Sequence, residues 1–214
     1  MRLFLFRADR RDFDTEERRK RRRTSASPLP LNCEKIRVST QMEILLKREE
    51  IAAAVARMGQ QITRDFAGES VVLIGVLKGA CLFLSDLARQ IELNATFDFI
   101  AVRSYGTKQH TAGEVQLIKD VTTPLRGQNV ILVEDILDTG LTLTFLIKHL
   151  SGHHPKRLKI AALLDKPSRR VAQVQADYVG FQIPDKFVVG YGLDHAERFR
   201  NLPDICVLEE GGQQ

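Results

Sequence analysis

Val130 to Thr142 reads VILVEDILDTGLT: four apolar residues, two adjacent acids, two apolar residues, then Asp138-Thr139-Gly140 leading into a helical pattern. A short apolar run of this kind suits a strand buried on both faces, as in a parallel sheet. The expectation is that the strand ends at Val133 and that Glu134 and Asp135 emerge at its carboxyl edge. Asp138-Thr139-Gly140 then turns into the helix LTLTFLIKHLSG, which ends at Gly152. In open parallel sheets ligands gather at that edge. The first N–H groups of a helix starting there have no intrahelical partners and attract an anion, most naturally a phosphate. Two adjacent carboxylates suit the hydroxyls of a sugar and a hard cation such as Mg2+. Asp138 can serve as a separate acid or base. Helix capping would account for Asp138, but not for the pair before it.

Outward from this stretch the pattern keeps alternating. From Glu43 it reads as a helix of about five turns, with Ile51, Val55, Met58 and Ile62 spaced 4, 3 and 4 apart on one face. SVVLIGVL then reads as a strand, ACLFLSDLARQIE as a helix, ATFDFIAV as a strand and EVQLIK as a shorter strand. After NVILV and its helix come the strands RLKIAALL and DYVGF. Parallel neighbours need crossovers of this kind, so the expected fold class is α/β with a mainly parallel central sheet flanked by helices.

The chain has 214 residues, room for one domain with a sizeable core plus a tail. Its apolar runs are far shorter than the roughly 18 residues of a membrane span, so no membrane association is expected. Cys33, Cys81 and Cys206 are few and widely spaced, which fits reduced thiols in a cytoplasm better than a disulfide framework or a zinc site. The net charge of +5 is unevenly placed. Residues 1–41 hold 12 Lys and Arg against 6 Asp and Glu, or +6, leaving 20 against 21, or −1, for residues 42–214. A body without positive excess lacks the footprint of a nucleic-acid binder. Residues 1–41 are charge-dense and then Ser/Pro-rich, and read as a disordered basic extension. Residues 42–214 read as the single domain, and an alternative start at Met42 fits that division.

The quoted stretch resembles the phosphoribosyl-diphosphate (PRPP) motif of the type I phosphoribosyltransferases. LIGVLKGA, VRSYGT, LLDKPSRR and YVGFQIPDKFVVGYGLD follow the order they have in hypoxanthine-guanine phosphoribosyltransferases, the bacterial branch above all. The resemblance covers about Met42 to Glu209. It implies a small hood region beside the sheet, an Mg2+ cofactor, and transfer of a phosphoribosyl group from PRPP to hypoxanthine or guanine. The products would be IMP or GMP and diphosphate. Xanthine is a further candidate base, and a homodimer or homotetramer the implied assembly.

Residue by residue, the resemblance assigns the diphosphate to Lys78, Gly79 and Arg200, with a non-proline cis peptide between Leu77 and Lys78. The ribose and 5′-phosphate fall to Glu134, Asp135 and the backbone from Asp138 through Thr139, Gly140, Leu141 and Thr142. The metal falls to Glu134, Asp135 and Asp194. Lys166 would donate to O6 of a 6-oxopurine, Phe187 would stack on the base, and Val188 and Asp194 would border it. Asp138 would handle the purine N7 proton. Ser104 and Tyr105 begin a polar loop, Ser104 to Glu114, similar to the one that closes over the site in this family. Leu141 stands where vertebrate members carry Lys, so base preference does not carry over. A PRPP-sensing regulator on the same fold is the alternative. It would be expected to have lost catalytic residues, whereas Asp138, Lys166 and Asp194 are all present.

Overall fold

The structure, a computed structural model, describes residues 42–105 and 114–208. The extension 1–41 and the centre of the Ser104–Glu114 loop lie outside those residues. Six strands form the main sheet: β2 (Val71–Leu77), β3 (Ala95–Tyr105), β4 (Glu114–Lys119), β5 (Asn129–Leu137), β6 (Arg157–Asp165) and β7 (Tyr178–Gln182), in the spatial order β4-β3-β2-β5-β6-β7. All neighbours pair in parallel except β3 and β4. The chain thus grows outward in both directions from β2 and β5, the pair at the centre.

Helices α1 (Arg48–Asp65) and α2 (Cys81–Arg89) cover one face, and α3 (Leu141–Ser151) covers the other. The period-2 geometry of a strand splits β5 between two cores. Ile131 and Val133 pack with Ile51, Val55, Met58 and Ile62 of α1 and with Phe83, Leu84 and Leu87 of α2. Val130 and Leu132 pack with Leu143, Leu146 and Leu150 of α3. The 4, 3, 4 spacing read in α1 is therefore the stripe that faces the sheet. Helix α2 stops at Arg89, two residues short of the apolar Ile91, which joins the core from beyond the helix end. No helix among the described residues is long and apolar enough to cross a membrane.

The helical reading from Glu43 needs correction. Met42–Leu46 is a strand, β1, antiparallel to β9 (Ile205–Leu208), which also pairs with β8 (Val188–Val189) in a small three-stranded sheet. MEILL is compatible with a helix on propensity alone, but pairing with the distant β9 satisfies its backbone and outweighs that preference. Helix α1 begins only where it is capped. Glu50 accepts a hydrogen bond from the Lys47 N–H (2.9 Å), and buried Asp204 accepts one from the Arg48 N–H (2.9 Å).

Since β1 completes this sheet, a chain starting at Met42 is expected to fold and keep its activity. One starting at Lys47 uncovers β9 and loses the burial of Met42, worth about 2–3 kcal/mol, or about 4–12 °C in Tm at this size. Thermal denaturation of the two truncated chains checks the boundary.

Candidate active site

Strand β5 runs on to Leu137, pairing Glu134 with Ala162, Ile136 with Leu164 and Leu137 with Asp165. Glu134 and Asp135 are therefore strand residues rather than the first residues past the strand, as the sequence suggested. Regular side-to-side alternation lapses around them: Ile136 packs with the α1/α2 core and Leu137 with the α3 core. Glu134 is buried and its Oε2 has no hydrogen-bond partner. Burial, then the charge of Asp135, push the Glu134 carboxyl well above its ordinary range. Burial likewise pushes Asp135 up to about 6, against the opposing pull of the Ile136 and Asp135 backbone N–H groups and Arg200, with Asp194 adding to the rise. Two adjacent buried acids, one with an oxygen that no donor meets, fit a divalent cation.

Against Asp135 lies Gly79, just past β2. A Cβ at Gly79 would fall on the Asp135 carboxylate, and one at Gly192 on the Gly79 carbonyl. Only glycine lets the backbones at 79 and 192 approach each other and the Asp135 carboxylate this closely. The Leu77–Lys78 peptide is cis. Lys78 Nζ pairs with Glu197 Oε2 at 2.9 Å. Arg200 Nη2 pairs with Asp194 Oδ1 at 2.7 Å, while Nη1 donates to the Gly192 carbonyl at 2.7 Å. Asp194 Oδ2 accepts from the Glu197 N–H at 2.8 Å. Ala196 and Glu197 occupy the left-handed backbone region at φ 51° and 63°, unusual outside glycine. The fold thus gathers Lys78, Gly79, Asp135, Asp194 and Arg200 into one cluster. Glu197 is a member that the motif reading missed. Its spacing of three from both Asp194 and Arg200 in DHAERFR was the available signal. Its hydrogen bond to Lys78 holds its carboxyl below the usual range.

Past β5, Gly140 takes φ 83° and caps α3. A Cβ there would meet Val174 Cγ1. The Thr139 carbonyl accepts from the Val171 and Ala172 N–H groups (2.9 and 3.0 Å), and the Asp138 carbonyl from Arg170 Nη1 (2.9 Å). Arg170 also contacts Asp165 closely, so the segment after β6 fixes the turn. Leu141 and Thr142 then open α3, where first-turn N–H groups lack intrahelical carbonyl partners and can meet a phosphate; that of Leu141 reaches Thr139 Oγ1 at 3.4 Å. Asp138 Oδ1 is buried without a hydrogen bond, with Arg169 Nε 3.1 Å away as an ion pair.

Lys166 is only 5% exposed, and its nearest acid is Asp185, at 3.9 Å. Its backbone N–H donates to the Leu137 carbonyl at 2.9 Å, tying it to the end of β5. It lines a cavity of about 410 Å³ with Arg169, Asp185, Phe187 and Leu208. Phe187 is 44% exposed and meets His195 edge to face at 5.4 Å. The Val188 side chain is buried in the α1/α2 core, leaving only its backbone for the cavity side. Arg169 and Asp185 were not singled out from the sequence, because KPSRR and PDK read as ordinary surface charge. Ser104 and Tyr105 belong to β3, and their side chains lie outside the described residues.

Among known proteins, the family of phosphoribosyl transferase domains matches residues 41–196. The hypoxanthine-guanine phosphoribosyltransferase of Bacillus subtilis (strain 168) is 46% identical over 167 residues, covering 78% of this chain and 93% of its own. The hypoxanthine phosphoribosyltransferase of Escherichia coli (strain K12) is 43% identical over 166 residues, covering 77% and 93%. A crystal structure of the Bacillus anthracis hypoxanthine-guanine phosphoribosyltransferase with HEPES in its active site is similar at 51% identity and a TM-score of 0.75. It covers 78% of this chain and 98% of that one.

Proposed function

This chain belongs to the phosphoribosyltransferase family, in its hypoxanthine-guanine branch, and from that membership we infer how its own residues divide the work. The enzyme acts in purine salvage, transferring the 5-phosphoribosyl group of PRPP to N9 of hypoxanthine or guanine. The observation that carries this reading is the pairing of two halves on one sheet edge: the carboxylates of β5 against Gly79, and buried Lys166 over a cavity walled by Phe187.

In this reading Glu134 and Asp135 hold the ribose hydroxyls, and the N–H groups from Asp138 to Thr142 hold the 5′-phosphate. Lys78, the Gly79 backbone and Arg200 receive the diphosphate. Lys78 must then exchange Glu197 for phosphate oxygens, a better partner for an exposed ammonium. The C1′–O bond to diphosphate breaks as N9 forms its bond to C1′ from the opposite face, and the N7 proton of the purine passes to Asp138 Oδ1. That oxygen accepts no hydrogen bond, and its ion-pair partner Arg169 must give way for it to take the proton. Lys166 donates to O6, and Phe187 covers the base. Glu134, Asp135 and Asp194 would hold Mg2+, a fit supported by the unpartnered Glu134 Oε2 and the raised Asp135 carboxyl. When bound, Mg2+ supplies positive charge to the departing diphosphate.

Two further readings belong here. The exposed thiol of Cys81 supports a reducing cytoplasm. Exposed Leu82 on α2 and exposed Phe97 in the wall of the α2–β3 cavity support a homodimer or homotetramer, which sedimentation would measure.

The test is diphosphate release with Mg2+ and PRPP against hypoxanthine, guanine, xanthine and adenine in parallel. Adenine would set its amino group against the Lys166 ammonium, two donors facing each other at a cost of about 1–3 kcal/mol. That predicts kcat/KM for adenine lower by roughly 5- to 150-fold. Comparable turnover of adenine would overturn the role given to Lys166.

A further inference from the structure

Away from the reaction centre, the last turn of α3, the residues just past it and the turn after β4 bring Asp120, His149 and His153 together, with one ligand atom from each lying within 4.8 Å of the others. His149 lies in the last turn of α3 and His153 two residues past its end, where Gly152 keeps right-handed helical backbone (φ −61°, ψ −20°) and the His153 N–H donates to the Leu150 carbonyl at 3.0 Å, so the turn carries both rings to one side. Chain reversal follows at once, with His154 in the left-handed region at φ 55°. We propose that Asp120, His149 and His153 form a binding site for a divalent transition metal of the zinc type, which clamps the β4–β5 connection to the end of α3.

Three observations support a built site rather than a chance meeting. First, His149 Nε2 and Asp120 Oδ1 are already 2.9 Å apart. Ligand atoms at about 2.0–2.2 Å from a common zinc stand roughly 3–3.6 Å apart, so the two separations to His153, each within 4.8 Å, have to close by at most about 1–2 Å. Second, both partners are held in place. Asp120 follows Lys119, whose Nζ donates to Asp98 Oδ1 at 3.3 Å, and precedes Thr122 and Thr123, whose N–H groups donate to Asp98 Oδ2 at 2.6 and 2.8 Å. The His149 ring lies 5° from parallel to Phe145 and meets His153 at 69° with centroids 5.3 Å apart. Third, the groups are reachable by an ion, with His149 26% and Asp120 42% exposed.

Two imidazoles and one carboxylate select against Mg2+ and Ca2+, which prefer oxygen, and in favour of Zn2+ and its neighbours. The set also differs from the all-carboxylate group on β5, so the two sites should take different metals from one solution. A bland alternative is that Asp120 and His149 form only an ion pair beside the C-terminal end of a helix, where cations are favoured. The two accounts diverge at His153, which the ion pair does not need.

The full chain, with excess Mg2+ to occupy the carboxylate site, is titrated with Zn2+ against a chromogenic chelator. Co2+ serves as a second probe for its visible bands. One equivalent of Zn2+ bound at micromolar affinity or tighter is expected, falling at least tenfold in His153→Gln and lost in His149→Gln/His153→Gln. Circular dichroism and turnover with Mg2+ alone report whether each variant remains folded. Absence of Zn2+ binding to the parent chain, or binding of equal strength in the folded His153→Gln variant, overturns the proposal. If the double variant fails to fold, the single variant and the Co2+ spectrum of the parent chain still decide it.

Discussion

Replacing Asp138 by Asn is expected to lower kcat by about 10²–10⁴-fold while KM changes modestly. The substitution keeps size and planarity but removes the acceptor of the N7 proton. The surrounding turn should persist, because it is held through backbone atoms: the Asp138 carbonyl by Arg170, and the Thr139 carbonyl by the Val171 and Ala172 N–H groups. Arg169 loses one charged partner at 3.1 Å but keeps Asp185 at 3.6 Å, and its half-exposed side chain hydrates at little cost. Steady-state kinetics in both substrates read the outcome. Near-normal turnover with collapsed PRPP affinity would reduce Asp138 to a cap of the phosphate turn, and the base would have to be sought elsewhere.

Asp135→Asn is expected to act in the opposite sense on two quantities at once. Above pH 7 it should raise KM for PRPP by about 10- to 100-fold, because a ligand of the sugar and its metal environment is lost. In the same range it should raise Tm by about 2–4 °C, the shift that roughly 1 kcal/mol gives in a chain of this size. The gain follows from linkage. Asp135 titrates near 6 in the folded chain, above an ordinary aspartate, so the folded state holds its proton more tightly than the unfolded one. Stability then falls as pH rises from about 4 through 6, and the neutral Asn escapes that loss. The Tm advantage should vanish near pH 4. For the parent chain, PRPP binding should weaken as pH drops through 6 and the acid pair takes up protons. Melting curves and KM measured across pH test both halves. A variant destabilised at pH 8 would mean that the acid pair supports the fold.

The β5 stretch was the most legible part of the chain because its local signals agree. An apolar run, adjacent acids and a glycine before a helical pattern all point to one strand–turn–helix unit, and membership of the phosphoribosyltransferase family bears out the motif reading. What the sequence obscured was non-local. Nothing in MEILL announces its pairing with residues more than 150 positions away, so a helix-compatible segment became a strand. The end of β5 was read four residues early because acids normally mark exposure, whereas here they continue the ladder with β6. Glu197, Arg169 and Asp185 look like surface charge until the fold sets them beside Lys78, Asp138 and Lys166.

The two substrates are gripped by parts of unequal depth. Apart from Asp194 and Arg200, the groups assigned to PRPP hang on or just past β5 and β2, adjacent strands at the middle of a six-stranded sheet with buried cores on both faces. The base cavity takes part of its wall from β1 and β9, short strands of the small sheet. Amide protons on β5 should therefore exchange with solvent only through global opening, and those of β1 and β8 through smaller excursions. Under mild denaturant the protein should stop recognising purines while it still captures the sugar phosphate, losing its acceptor before its donor.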